Sequence, residues 1–128
     1  MEINLPQQAP TSLRIWDTYV PIVTSKNVSH VYITEPIDEP SYYNELCFLL
    51  DNATEQDTIN IHINTPGGII DSTVMIINSI KNSKANVVGH LAGTVASAGT
   101  MIALSCNSLK VANHTTFMIH NYSGGLRG

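Results

Sequence analysis

Ser97 sets a hydroxyl among residues too small to shield it, in the stretch Gly93-Thr94-Val95-Ala96-Ser97-Ala98-Gly99. An apolar strand pattern from Asn86 to Leu91 precedes it and an apolar helix pattern from Ser97 to about Ser105 follows, so a substrate can reach the Ser97 oxygen. An earlier loop, Ile63-Asn64-Thr65-Pro66-Gly67-Gly68, places two glycines after another apolar strand, where backbone amides can turn outward and hold an anion. Beyond Ser97, Phe117-Met118-Ile119 delivers His120 into a glycine-containing loop. A hydroxyl, an imidazole and outward amides are the parts of serine acyl transfer: nucleophile, general base and oxyanion donors. In that reading Ser97 attacks, His120 takes the proton, and the amides of Ala98 and Gly68 receive the developing negative charge. Each part also has an ordinary explanation. A serine before a helix is most often an N-cap, and Pro-Gly-Gly is a common turn.

The elements that must position these residues alternate along the chain. His30 to Thr34 is rich in β-branched and aromatic residues and reads as a strand. From about Glu39 to Asn52, Tyr42, Tyr43, Leu46, Cys47, Leu49 and Leu50 recur at helical spacing. In Thr58 to Asn64, Ile59, Ile61 and Ile63 alternate with Asn60 and His62, a second strand. Asp71 is placed to cap a helix from Ser72 to about Asn82, with Val74, Ile77 and Ile80 on one stripe. The remaining pattern predicts a strand over Asn86 to Leu91, a helix from Ser97, a short strand at Leu109 to Ala112 and another at Thr115 to Ile119. Strand and helix in turn predict βαβ units and a largely parallel sheet. Ligands gather beyond the carboxyl ends of such strands, which puts the Gly67-Gly68 loop and Ser97 at one end of the sheet.

Composition narrows the function. The chain has 128 residues, 43% hydrophobic, enough to bury the core of one domain, and residues 1–29, with Pro6, Pro10 and Pro21, read as an irregular arm before it. Net charge is −4 with 12% charged residues and no Lys or Arg cluster, so nucleic acid is not an expected partner. The apolar runs are far shorter than the roughly 20 residues of a membrane span, and no secretory signal is visible at Met1-Glu2, so a cytoplasmic protein without a membrane role is expected. Cys47 and Cys106 fall in segments read as helices and are expected to be reduced. His30, His62, His90 and His114 lack zinc-site spacing and read as sheet residues; no metal or other cofactor is expected.

In these three motifs the chain resembles the Clp protease proteolytic subunit family. That family is similar to the series Asn64-Thr65-Pro66-Gly67-Gly68, then Gly93 to Gly99 around Ser97, then Met118-Ile119-His120 followed by Gly124-Gly125. The resemblance runs from about His30 to Gly128 and implies a spiral of βαβ units like that of the Clp subunits and the crotonases. It implies Ser97 as nucleophile, His120 as base and the amides of Gly68 and Ala98 as oxyanion hole. It further implies that backbone at Gly67 to Ile70, including Ile69, and at Gly125 and Leu126 clasps an extended peptide as an added strand, a mode that reads main chain more than sequence. The enzyme implied is a serine endopeptidase of unfolded polypeptides, a subunit of a homo-oligomeric ring fed by a separate AAA+ unfoldase. No Gly-x-x-x-x-Gly-Lys phosphate loop occurs here, so ATP belongs to that partner.

The chain also departs from the family pattern. The acid that should orient the imidazole falls beyond Gly128, and Asp17, Asp38, Asp51, Asp57 and Asp71 all precede Ser97, so no third triad member is assigned. The long helix that joins rings is missing too, which leaves the C-terminal part of the fold absent and predicts weak or no activity for these residues alone. Thr65 stands where the family usually has serine, in a turn role. A crotonase-type acyl-CoA enzyme, an inactive ring scaffold and a serine-lysine peptidase are the alternatives; the last finds no motif around Lys81, Lys84 or Lys110.

Overall fold

The computed structural model describes residues 14–16 and 19–118. In chain order these form β1 (Arg14–Trp16), β2 (Ile22–Ser25), β3 (Val28–Ile33), a 3₁₀ turn (Pro40–Tyr43), α1 (Asn44–Asn52), β4 (Thr58–Thr65), α2 (Ile70–Asn82), β5 (Asn86–Ala96), α3 (Ala98–Ser105) and β6 (Ser108–Met118). The six strands lie in one sheet in sequence order. β1, β2 and β3 pair antiparallel, and β3 through β6 pair parallel.

Sequential order has a direct consequence for layering. Each parallel connection passes through one helix and moves one strand in the same direction, so right-handed crossovers put all three helices on one face of the sheet. α1 packs on α2 and α2 on α3, as that arrangement requires. Between the layers lie Val31, Ile33, Ile59, Ile61, Ile63, Val87 and Leu91 from the strands, with Leu46, Leu50, Ile76, Ile80 and Ile102 from the helices. The expected α/β spiral with a mostly parallel sheet is what the backbone adopts.

Several expected boundaries differ from the structure. Within the segment read as an irregular arm, Arg14–Trp16 and Ile22–Ser25 are strands, because β2 finds its partner in β3 one tight turn later. α2 begins at Ile70 with Ile69 as its N-cap, and Asp71 sits inside the first turn instead of capping it. Its buried stripe is Ser72, Thr73, Ile76, Ser79 and Ile80, while Val74 is exposed. The hydroxyls make that burial possible: Ser72 donates to the Asp38 carbonyl and Thr73 to the Ile69 carbonyl at 2.9 Å. The two short strands expected near the end are one, β6, which stays paired with β5 across an irregularity between Leu91 and Gly93. Tyr43 is fully buried, as a packing residue should be, and its oxygen accepts the Asp38 N–H at 2.7 Å; Tyr42 is exposed. Cys106 follows α3 instead of lying within it, and both cysteines are free and half-buried. None of the described helices is long and apolar enough to cross a membrane.

The opposite face of the sheet carries a row of rings. Parallel register aligns Tyr32, His62, His90 and Lys110 across four strands. Strands about 4.8 Å apart stack flat side chains upon one another. The ring centroids of Tyr32 and His62 are 4.5 Å apart, and those of His62 and His90 4.6 Å. His30 joins through its Nδ1, 3.0 Å from His62 Nε2, and His90 Nε2 donates to Asn60 Oδ1 at 2.8 Å. Among the described residues no group of three or more His, Cys, Asp or Glu is arranged to hold a metal ion.

Partial burial, then the neighbouring His90 and His30, hold His62 below the ordinary imidazole pKa; burial, then Lys110 and His30, do the same for His90. Both folded pKa values lie below the unfolded value of about 6.5, so the unfolded chain binds protons first. The stabilising contribution of the neutral rings is therefore full above that value and is lost as pH falls through it toward the depressed folded values. Urea midpoints at pH 7.5 and 5.5 should show a larger drop for the natural chain than for His62→Gln. Equal drops would show that the stack does not sense pH.

Candidate active site

Ser97 is the single residue between the end of β5 and the start of α3. Its backbone has φ 53° and ψ −120°, a conformation costing a non-glycine residue about 1–3 kcal/mol. The cause lies on both sides of it. Ala98 and Gly99 are buried, and Gly99 brings α3 so close to β4 that a methyl there would sit 2.7 Å from Thr65 Cγ2. The chain must leave the strand and enter the helix within one residue. Ser97 is half-buried and makes no side-chain capping bond to α3, so the ordinary use of serine before a helix is not its use here. Only its carbonyl serves the helix, accepting the Met101 N–H at 3.2 Å.

The glycine loop is held against Ser97 by three sets of contacts. Thr65 Oγ1 donates to the Glu35 carbonyl at 2.8 Å and accepts the Gly67 N–H at 3.2 Å, which is the turn role expected of this residue. The Ile37 N–H bonds the Gly67 carbonyl at 2.8 Å, and the Ile69 N–H bonds the Ile37 carbonyl at 3.1 Å. Gly67 has φ 111°, and a methyl on it would lie 2.9 Å from Ser97 Cβ, 3.1 Å from the Ala98 nitrogen and 3.2 Å from Ser97 Oγ. The loop and the serine are in contact.

That pairing sorts the residues expected to meet a substrate. Gly67 and Ile69 use their backbone groups inside the chain, on Ile37, Thr65 and Thr73. Gly68 bridges Ile37 in parallel, with the bonds made by its two neighbours, so its own N–H and C=O point to the opposite edge. Ile70 begins α2, where a first-turn N–H has no intrahelical acceptor, and its side chain is half exposed. The Ala98 N–H is likewise the first of α3 and adds the positive end of that helix. Ala98 follows Ser97 directly, and Gly68 follows the Gly67 that lies against it.

His120, Gly125 and Leu126 lie outside the described residues. The strand leading to His120 is described: β6 pairs in register with β5 to the pair Ala96↔Met118. β5 and β6 therefore reach Ala96 and Met118 at the same level of the sheet. Among the acids before Ser97, Asp38 accepts the Glu39 N–H and Asp57 the Thr54 N–H, each serving a local turn.

Two side-chain contacts at the site have no mark in the sequence. Asn64 Oδ1 accepts the Thr94 N–H at 2.9 Å, and its carboxamide fills the space where a methyl on Gly93 would be, at 2.7 Å. It pins the irregular part of β5 to the end of β4. Thr100 Oγ1 donates to the Met118 carbonyl at 2.9 Å, with the Val95 carbonyl at 3.3 Å. No local pattern announces either contact, since each joins elements remote in sequence. A groove of about 390 Å³, lined by His62, His90, Lys110 and Asn64 among others, lies on the ring-bearing face and includes neither Ser97 nor the glycine loop.

Comparison with known proteins bears on this arrangement. The model of the Clp protease family matches residues 16–128. The ATP-dependent Clp protease proteolytic subunit of Streptococcus suis is 29% identical over 127 residues, covering 95% of this chain and 63% of that protein. A variant of ClpP1 from Listeria monocytogenes is a structural match at TM-score 0.59 and 32% identity, over 75% of this chain and 58% of the other. An enoyl-CoA hydratase from Mycobacterium avium subsp. paratuberculosis matches at TM-score 0.60 but 18% identity, over 86% and 48%, a likeness of fold alone. The chain spans less than two thirds of the length of these proteins.

Proposed function

Because the chain belongs to the Clp protease family, we propose that it is the catalytic core of a serine endopeptidase subunit acting on unfolded polypeptides. The observation that carries this reading is the Ser97 backbone at φ 53° with the Gly67 loop in contact with it and its hydroxyl unused as a helix cap. A helix-capping serine has no need of that geometry, whereas a nucleophile at a sharp strand-to-helix turn does.

In the proposed reaction an extended peptide pairs with the outward edge at Gly68 and Ile70, an added strand held through main-chain groups. Ser97 Oγ attacks the scissile carbonyl while His120 accepts the hydroxyl proton. The oxygen that gains charge is met by the N–H groups of Gly68 and Ala98. Collapse of the tetrahedral intermediate breaks the C–N bond, and the proton on His120 passes to the departing amine. Water, deprotonated by the same imidazole, then hydrolyses the acyl-enzyme and restores Ser97. Assembly into a ring and supply of substrate by an ATP-driven unfoldase belong to the same proposal, supported by the kinship with ATP-dependent proteolytic subunits.

Treatment of the natural protein with a fluorophosphonate, followed by peptide mass mapping, should place the adduct on Ser97. An assembled protein that takes up no label, or carries it elsewhere, would refute the reading.

A further inference from the structure

Thr100 occupies the first turn of α3, three residues after Ser97, and is only 3% exposed. A threonine hydroxyl has one proton to give. In a helix it commonly donates to the carbonyl three or four residues back. Here it reaches out of the helix instead. Its stronger acceptor is the Met118 carbonyl at 2.9 Å, at the end of β6, and the second is the Val95 carbonyl at 3.3 Å, near the end of β5.

One buried hydroxyl therefore ties three chain ends together. β5 runs on directly into Ser97, α3 begins at the residue after it, and Met118 is two residues before His120 in the sequence. Met118 is also the register partner of Ala96, the last residue of β5. β5 ends at Ala96, and Ser97 turns out of the strand. The Thr100 hydroxyl acts at that point.

We propose that Thr100 is a positioning residue for the acyl-transfer site: its hydroxyl, bonded to the Met118 carbonyl, sets the spacing between the turn carrying Ser97 and the end of β6. The inference rests on the reading of Ser97 and His120 given above. Its proton is engaged by backbone carbonyls, so Thr100 does not meet substrate. Removing it should therefore slow the chemical step without weakening substrate binding.

Thr100→Val keeps the shape and removes the hydroxyl; Thr100→Ser keeps the hydroxyl. In the natural full-length protein, turnover of a short fluorogenic peptide is divided by the number of fluorophosphonate-reactive sites, so that unfolded molecules are not counted. Per reactive site, Thr100→Val should lose up to roughly 100-fold in kcat, the scale of a displacement near 1 Å at the reacting groups, with KM unchanged. Thr100→Ser should restore the natural rate. A purely structural threonine would lower the number of reactive sites and leave the rate per site untouched, and that result overturns the proposal. So does failure of Thr100→Ser to restore the rate. Should the valine variant not fold, Thr100→Ala compared with Thr100→Ser gives the same decision. If the natural protein is itself unlabelled at Ser97, the underlying reading fails, a result distinct from a labelled protein indifferent to Thr100.

Discussion

Ser97→Ala is expected to abolish fluorophosphonate labelling and to lower peptide hydrolysis on the order of 10⁶-fold, the scale at which a serine nucleophile's loss is felt. The fold should survive, because the Ser97 side chain caps nothing and the helix takes only its carbonyl. Ser97→Gly should be equally inactive but more stable than Ser97→Ala. An alanine still has to adopt φ 53°, at a cost of about 1–3 kcal/mol, whereas glycine adopts it freely and gives back only about 0.5–1 kcal/mol through its looser unfolded state. The difference, about 1 kcal/mol in favour of glycine, is measurable by urea unfolding. Two inactive variants that differ in this direction would show strain held at the reacting residue. Retained hydrolysis in Ser97→Ala would remove Ser97 as the nucleophile.

How much of this was legible in the sequence depends on whether a feature is local. The alternation of Ile59, Ile61 and Ile63 with Asn60 and His62 gives β4 its buried and open faces, and the structure follows it residue by residue. α2 misleads because small hydroxyl residues, Ser72, Thr73 and Ser79, take core positions that a search for aliphatic side chains assigns elsewhere. They can be buried because backbone carbonyls of Asp38 and Ile69 accept from Ser72 and Thr73, contacts with no mark in the sequence. β1 and β2 are too short for a pattern to emerge, and their existence depends on β3 as partner. At the site, the small residues around Ser97 and the paired glycines announce close approach, and the Gly67 loop does lie against Ser97. The links that hold them, Ile37 on Gly67 and Ile69, Asn64 on Thr94 and Thr100 on Met118, join separate elements and become visible only when the chain is folded.

Gly68→Ala should slow hydrolysis strongly, although it alters no side-chain chemistry. A methyl at this position would lie 2.2 Å from the Ile37 carbonyl oxygen and 2.7 Å from its nitrogen, where ordinary contact begins at 3.4 Å. Both opposing atoms are backbone, so no rotamer change relieves the overlap. The loop must move by roughly 1 Å, and a displacement of that size at a reacting group costs on the order of 100-fold. It also turns the Gly68 N–H away from the place where the oxyanion forms, and loss of one such donor costs about 10²–10³-fold in kcat. The two estimates describe the same motion and are not to be added, so a fall in kcat of about 100- to 1000-fold is expected. Ser97 keeps its hydroxyl and its backbone in this variant, so slow labelling at Ser97 should persist. Labelling and hydrolysis at natural rates in a folded Gly68→Ala protein would mean that the Gly68 amide takes no part in the reaction, and that charge on the carbonyl oxygen is met by Ala98 and some other donor.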